Sequence, residues 1–326
     1  MAEVLTETNF NLPGQIGEVY RGKVDDVYTI EHTGGDLLAV VRTDRISAYD
    51  VVLPEPIPYK GQVLNDMSAA ALRATAAVAP NWFIDSPDPN ISIGQKADPI
   101  KVEMIVRGYL LGSAWKNYSE RGEREICGIT LPDGMREFEP FDRPLVTPTT
   151  KALQGHDENI TPRQIIEMGL ATRVEYEQME ALALSLFAYG QEVARQEDRE
   201  LGDTKYEMGR LTTNGVIVID EVHTPDSSRY YPREEFWAYV NGQTSERPEQ
   251  QSKEFVREWL KNQGFTGQEG QVAPPLPPEF IAEVSDKYVD LRNRMLGTPF
   301  VPPAEGVDLA DRARANLENY LANLAA

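Results

Sequence analysis

The chain reads as an α+β protein. Strand-like apolar segments come first, separated by glycine turns, up to Val106. A mixed, proline-rich stretch follows, and long helical periodicities occupy the second half. That order, strands then late helices, is the pattern of segregated α+β architecture. With 326 residues the chain can bury a large core in one or two domains.

Residues 1–17 read as a loosely held arm. Glu18–Arg21, Val27–Glu31 and Leu37–Arg42 read as strands, divided by turns at Gly22 and Gly34-Gly35. Met67–Val78 is alanine-rich and helical, stopping before Pro80. Pro87–Pro99 is rich in turn residues, and Ile100–Val106 is a buried strand. The stretch 85–99 is therefore expected to divide a small β-rich lobe, 1–98, from a larger one, 99–326. Residues 128–150 carry several prolines and read as extended chain. Thr161-Pro162-Arg163-Gln164 has a capping threonine, proline at the first helical position and a capping-box glutamine. Gly169 ends that helix. A long helix is expected over 173–199, with Tyr176, Met179, Ala183, Leu186, Gly190 and Val193 on one core-facing stripe. Further helices are expected over Ser252–Asn262, Glu279–Leu296 and Asp308–Leu324, with a Gly/Pro-rich linker at Phe265–Pro278.

Composition excludes several functions. Hydrophobic residues make up 41% and charged residues 26%, as in ordinary soluble domains. The net charge of −20 argues against a general nucleic-acid binder. Anionic small molecules would need local clusters of Lys and Arg, because the overall charge opposes them, although salt screens that field over about 8 Å. Cys127 is the single cysteine, so neither an intrachain disulfide nor a cysteine-based zinc site is possible, which fits a reducing cytoplasm. The acidic start, Met1 to Glu7, does not read as a signal peptide. No apolar run approaches the roughly 20 residues of a membrane helix.

The segment Asp203–Arg229 carries most of the chemistry. Alternation places Asp203, Lys205 and Glu207 on one strand face. A turn at Asn214-Gly215 returns the chain through Val216–Ile219 to Asp220. Carboxylates converging across a hairpin suit Mg²⁺, which prefers oxygen ligands and leaves positions for phosphates. Thr224-Pro225-Asp226-Ser227-Ser228-Arg229 then packs hydroxyls, an acid and an arginine into six residues, a composition able to bind phosphate. Alone, each piece also reads as a solvated hairpin with surface charges.

Four more motifs precede it: Gly22-Lys23-Val24-Asp25-Asp26-Val27-Tyr28; Thr43 to Asp50; Glu103 to Tyr109 with Gly112-Ser113; and Gly155-His156-Asp157-Glu158-Asn159-Ile160. Five motifs in order resemble the SAICAR synthetases, the phosphoribosylaminoimidazole-succinocarboxamide synthases of purine biosynthesis. The resemblance implies two ATP-clasping lobes related to ATP-grasp and kinase-like folds. It implies an ATP-dependent ligase that joins L-aspartate to carboxyaminoimidazole ribotide, giving SAICAR, ADP and phosphate. It implies that Gly22, Lys23 and Val24 meet ATP phosphates, with the adenine near Lys101 and Glu103. By the same resemblance Lys205, Glu207 and Asp220 form the catalytic group, and Glu207 and Asp220 hold Mg²⁺. Arg107, Ser113 and Arg229 would bind the ribotide phosphate. Asp157 and Asp203 would contact the remaining substrate groups. Three departures stand out. Asp25 occupies a position that is basic in the family, Lys101 one where proline is common, and Met208 one where phenylalanine is usual. The partners implied are small molecules, and monomer and homodimer are both open. A kinase-like phosphotransferase shares the Lys, Glu and Asp logic, although the chain has neither a His-Arg-Asp loop nor Asp-Phe-Gly. Lys23, Lys205, Glu207 and Asp220 together argue against an inactive scaffold.

Overall fold

The computed structural model describes residues 3–151, 158–211 and 215–324. Strands β1 (Tyr20–Arg21), β2 (Asp25–Ile30) and β3 (Leu37–Arg42) open the chain, followed by the short pair β4 (Ser47–Ala48) and β5 (Val51–Val52). Helix α1 (Lys60–Thr75) leads into the hairpin β6 (Phe83–Asp88) and β7 (Ile91–Gln95). These build an antiparallel sheet in the order β1-β2-β3-β7-β6. Alternation in β2 sends Tyr28 and Ile30 to one face and Val27 to the other. On the Tyr28 face lie Leu5, Phe10 and Leu12 of the arm.

The arm is therefore not loose. Leu5, Phe10 and Leu12 are buried, and the Phe10 ring stacks on Tyr28 at 5.3 Å. Isolated apolar residues in a polar stretch carry no periodicity, so only the sheet they cover identifies them. Helix α1 also begins seven residues before the expected Met67. Its first turns contain Lys60, Gln62 and Asn65, all buried. Their polarity hides a helix that tertiary partners stabilise: Asn65 Nδ2 donates to Ser86 Oγ at 2.9 Å and its Oδ1 accepts from Ser92 Oγ at 2.7 Å. Gly61 is required here, since a Cβ would lie 2.4 Å from the Arg42 carbonyl oxygen. The turn-rich 87–99 stretch is likewise reassigned. Most of it belongs to the β6–β7 hairpin of the first sheet, and only residues 96–97 separate β7 from the next strand.

The second half begins with β8 (Asp98–Tyr109) and α2 (Gly112–Glu120). The proline-rich stretch holds β9 (Glu125–Ile126), β10 (Ile129–Thr130), β11 (Pro140–Val146) and β12 (Thr149–Thr150). Helices α3 (Pro162–Glu167) and α4 (Arg173–Gln196) precede β13 (Arg199–Leu211), β14 (Gly215–Ile219) and β15 (Ser228–Pro232). Four helices finish the described chain: α5 (Arg233–Val240), α6 (Glu254–Asn262), α7 (Pro278–Leu296) and α8 (Leu309–Leu324). Both α3 and α4 start with a complete capping box, at Thr161/Gln164 and Thr172/Glu175. Tyr176, Met179, Ala183, Leu186 and Gly190 of α4 are buried, as its periodicity predicts.

The second sheet is antiparallel and six-stranded, ordered β11-β8-β13-β14, with β12 also on β8 and β15 also on β13. Residues 80–82 bridge the two sheets. Val218 N donates to Pro80 O at 2.9 Å and Trp82 N to Val218 O at 3.0 Å. Helix α8 returns to the first sheet, placing Leu309, Ala313, Leu317 and Leu321 against the Tyr28 face. Arg312 anchors it through both oxygens of the buried Asp88, at 3.0 Å each.

Candidate active site

β13 is the spine of the site. Its register places Asp203 opposite Arg107 of β8 and opposite Arg229 of β15. The buried Asp203 carboxylate accepts from Arg107 Nη1 at 2.8 Å and from Arg229 Nη1 at 2.7 Å. Arg107 continues through Nε to Thr147 Oγ1 at 2.9 Å and through Nη2 to Ser113 Oγ at 3.2 Å. Arg229 Nη2 donates to Glu254 Oε2 at 3.0 Å. Gly112, at φ +58°, lets the Arg229 guanidinium lie against the start of α2. A Cβ there would sit 2.9 Å from Nη1.

Two residues along β13, Lys205 Nζ lies between two carboxylates. It donates to Glu103 Oε1 at 2.7 Å and to Glu207 Oε1 at 2.9 Å. Lys151 pairs with the other Glu207 oxygen. Burial opposes the charge on Lys205, but Glu207, Glu103 and then Asp220 outweigh it and raise its pKa. Burial likewise opposes ionisation of Glu207. The two lysines prevail and bring it down to about 2. Both groups are charged at neutral pH.

Asp220 follows β14 at φ +62°, an unusual conformation for a non-glycine residue. Two groups from the first half of the chain hold it. Trp82 Nε1 donates to its carbonyl at 2.9 Å, and Arg42 Nη2 to its Oδ1 at 3.1 Å. Arg42 also pairs with Asp25, the residue that departs from the basic family pattern. The acid at position 25 thus holds a guanidinium supplied by position 42.

These strands line a cleft of about 520 Å³ that contains Glu103, Arg107, Ser113, Asp203, Lys205 and Arg229. A second cleft of about 430 Å³ lies between the Gly34–Asp36 turn, residues 95–99 and Arg210-Leu211. Because Arg210 pairs with Asp98 and Asp203 with Arg107, the two clefts lie toward opposite ends of one strand pair, with Glu207 between them.

Of the other predicted residues, the described ones lie outside the larger cleft. Gly22, Lys23 and Val24 form the β1–β2 turn, where Lys23 pairs with Asp50 and Gly22 N donates to Asp25 O at 2.8 Å. Lys101 is exposed on β8. Asp157 lies outside the described residues. Asp44, in the Thr43–Asp50 motif, is buried, accepting from Leu5 N at 2.8 Å and Gly61 N at 2.9 Å.

Several cleft residues escaped the sequence reading: Asn117, Arg121 and Thr149, and the α6 group Lys253, Glu254 and Arg257. The helix of this last group was recognised by its apolar face, which left the charged start of α6 unexplained. A lysine and an arginine four apart, with an acid between, were the available signal. Lys253 Nζ lies 3.3 Å from Asp226, a buried carboxylate that also pairs with Lys60 at 3.0 Å and accepts from Tyr288 at 2.8 Å. Asp226 therefore ties α1, α6 and α7 to the cleft floor.

The chain is similar to known proteins over most of its length. The family model described as SAICAR synthetase matches residues 18–273. The chain belongs to the SAICAR synthetase family. A phosphoribosylaminoimidazole-succinocarboxamide synthase of Bacteroides thetaiotaomicron is 49% identical over 321 residues, covering 98% of this chain and 99% of the relative. One from Azobacteroides pseudotrichonymphae is 47% identical over 319 residues, covering 98% and 96%. Among solved structures, the SAICAR-synthase from Saccharomyces cerevisiae complexed with SAICAR aligns at TM-score 0.71 and 30% identity, covering 91% of this chain and 99% of that one. The family expectation drawn from the five motifs is borne out, and none of these matches favours the kinase-like alternative.

Proposed function

We propose that this SAICAR synthetase family member is an ATP-dependent ligase that joins L-aspartate to carboxyaminoimidazole ribotide, using the β8–β13–β15 cleft as its ribotide site. The observation that carries this reading is the row Arg107–Asp203–Arg229 beside the Lys205–Glu207 pair. In a chain of net charge −20, it concentrates two guanidiniums and an ammonium on one sheet surface. Arg107 and Arg229, with Ser113, would hold the ribotide phosphate through fork geometry. Asp203 fixes both forks and would face the ribose hydroxyls, with Asp157 a further substrate contact.

ATP would lie along the same strand pair toward the other cleft. Its adenine would sit beside residues 96–103, which include Lys101 and Glu103. Its phosphates would lie between Lys205 and the Gly22-Lys23-Val24 turn. Glu207 and Asp220 fit a Mg²⁺ ion. Glu207 closes the β13–β14 ladder opposite Ile219, the last residue of β14, and Asp220 follows it. No group of three or more metal-binding side chains occurs among the described residues. Two carboxylates suit an ion that keeps waters and takes phosphate oxygens. When bound, it would neutralise phosphate charge.

In this scheme the ribotide carboxylate attacks the γ-phosphorus of ATP, releasing ADP and forming an acyl phosphate. The aspartate amine then displaces phosphate to give the amide. No protein nucleophile is needed. The chain contributes orientation and fixed charge. Lys205 stays protonated between its carboxylates and would stabilise negative charge developing at the transferred phosphoryl group. We read residues 1–98 and 99–326 as the two lobes that clasp ATP, with α8 strapping the first. No helix among the described residues is long and apolar enough to cross a membrane. We place the enzyme in the cytoplasm, a reducing compartment that its single cysteine fits. An ADP-release assay omitting each substrate in turn tests the reading. Release should require both the ribotide and aspartate for sustained turnover. Turnover with any small alcohol in their place would refute it.

A further inference from the structure

Arg45 lies against the Gly22–Lys23 turn. Its guanidinium joins three segments. Nε donates to Lys23 O at 3.2 Å and Nη2 to Gly22 O at 3.2 Å. Nη2 also meets Asp26 Oδ1 at 2.9 Å, and Nη1 donates to Thr6 O of the arm. The arm is fastened on both sides of that contact. Leu5 N donates to Asp44 Oδ2 at 2.8 Å, and Asp44 N returns to Leu5 O at 2.7 Å. Thr8 Oγ1 donates to Asp26 Oδ2 at 2.9 Å, and Arg21 Nη2 to Thr8 O at 2.9 Å. Asp26 is fully buried and serves Thr8, Arg21 and Arg45 together.

We propose that Arg45 is a positioning residue for nucleotide binding, buckling arm residues 5–8 to the Gly22–Lys23 turn and so fixing the height of Lys23. The three-residue Gly22–Val24 turn has little stiffness of its own, since the strand that leads into it, β1, spans only Tyr20–Arg21. Its carbonyls would otherwise be free to rotate, carrying Lys23 with them. A planar guanidinium donating to two consecutive carbonyls sets their direction, which a lysine cannot reproduce. The arm takes up the Nη1 donor of Arg45 through the Thr6 carbonyl. The proposal rests on the reading of Lys23 as a phosphate ligand.

The test uses the full chain with Arg45→Gln, Arg45→Lys, Thr8→Val and, separately, Lys23→Met. Calorimetry measures MgADP and ribotide binding. Hydrogen exchange by mass spectrometry measures protection of residues 20–26. Arg45→Gln should raise the MgADP Kd about tenfold, the loss expected for one charge-assisted hydrogen bond, and speed exchange over 20–26. Ribotide Kd should stay within about twofold, a split that general destabilisation would not produce. Arg45→Lys should recover thermal stability but not MgADP affinity. Thr8→Val leaves every Arg45 donor in place and should show a weaker form of the same split, which supports the strap if Arg45→Gln fails to fold. Unchanged exchange and unchanged MgADP affinity in Arg45→Gln and Thr8→Val would overturn the proposal. So would full recovery of MgADP affinity in Arg45→Lys. If exchange speeds up while MgADP affinity holds, Lys23→Met separates the causes. Loss of affinity in Lys23→Met then refutes the strap, and retention refutes the placement of Lys23 at the nucleotide.

Discussion

Arg229→Lys is the most direct test of the cleft. Arg229 makes charge-assisted hydrogen bonds to both Asp203 oxygens, at 2.9 and 2.7 Å, and to Glu254 at 3.0 Å. Its side chain is 19% exposed, so solvent screens these bonds little. Lysine keeps the charge but has one nitrogen on a narrower reach, and it cannot serve two carboxylates and a phosphate together. Losing one such bond to the ribotide phosphate costs about 1.5–3 kcal/mol, roughly 10- to 150-fold in kcat/KM for ribotide. MgADP affinity should change little, because Arg229 sits at the Asp203 end of β13 and the proposed nucleotide lies toward the Arg210 end. The assay pairs steady-state kinetics varying ribotide with calorimetry of MgADP. Circular dichroism melting reports any loss of fold, where a fall of several degrees is expected from the weakened Asp203–Glu254 bridge. If MgADP binding collapses while ribotide kinetics survive, the two ends of the strand pair have been exchanged in the site map.

Other perturbations have equally definite outcomes. Glu207→Gln and Asp220→Asn should each abolish most ligase activity while the far-ultraviolet spectrum is kept; near-normal turnover at saturating Mg²⁺ would remove that residue from the metal site. Lys23→Met should raise KM for ATP more than KM for ribotide, and an equal rise in both would contradict its placement. His223 is buried, with Nε2 2.7 Å from the Tyr206 hydroxyl, and burial lowers its pKa to about 4. The unfolded chain binds that proton below about pH 6.5, so this contribution is present above pH 6.5 and lost as pH falls toward 4. The shift is worth about 3 kcal/mol. Glu221 and Asp44 titrate in overlapping ranges with opposite sign, because burial raises them to about 7 and 6. Urea unfolding of wild type and His223→Gln at pH 7.5 and 5 cancels those terms, and the stability difference between the two proteins should shrink at pH 5. A difference independent of pH would mean that His223 does not carry the effect.

The amino-acid sequence by itself determined the local pieces. Alternation in Asp203, Lys205 and Glu207 set one face of β13, because a strand repeats every two residues wherever it lies. Thr161, Pro162 and Gln164 started α3 through contacts confined to one turn. The spacing of apolar residues marked α4 and α6 to α8, and five ordered motifs named the family. The tertiary structure alone decided which distant charges meet. Arg107, Asp203 and Arg229 converge because core burial selects a register that puts them opposite one another, and a one-residue slip would send each to the other face. The same applies to Arg42 with Asp25 and Asp220, whose sequence separations of 17 and 178 residues leave no local trace. Polar residues buried by such partners, Lys60 and Asn65 in α1 and Thr8 in the arm, look like surface in any short window. Their burial is stabilised by groups contributed from elsewhere in the fold, which a short window of sequence does not contain.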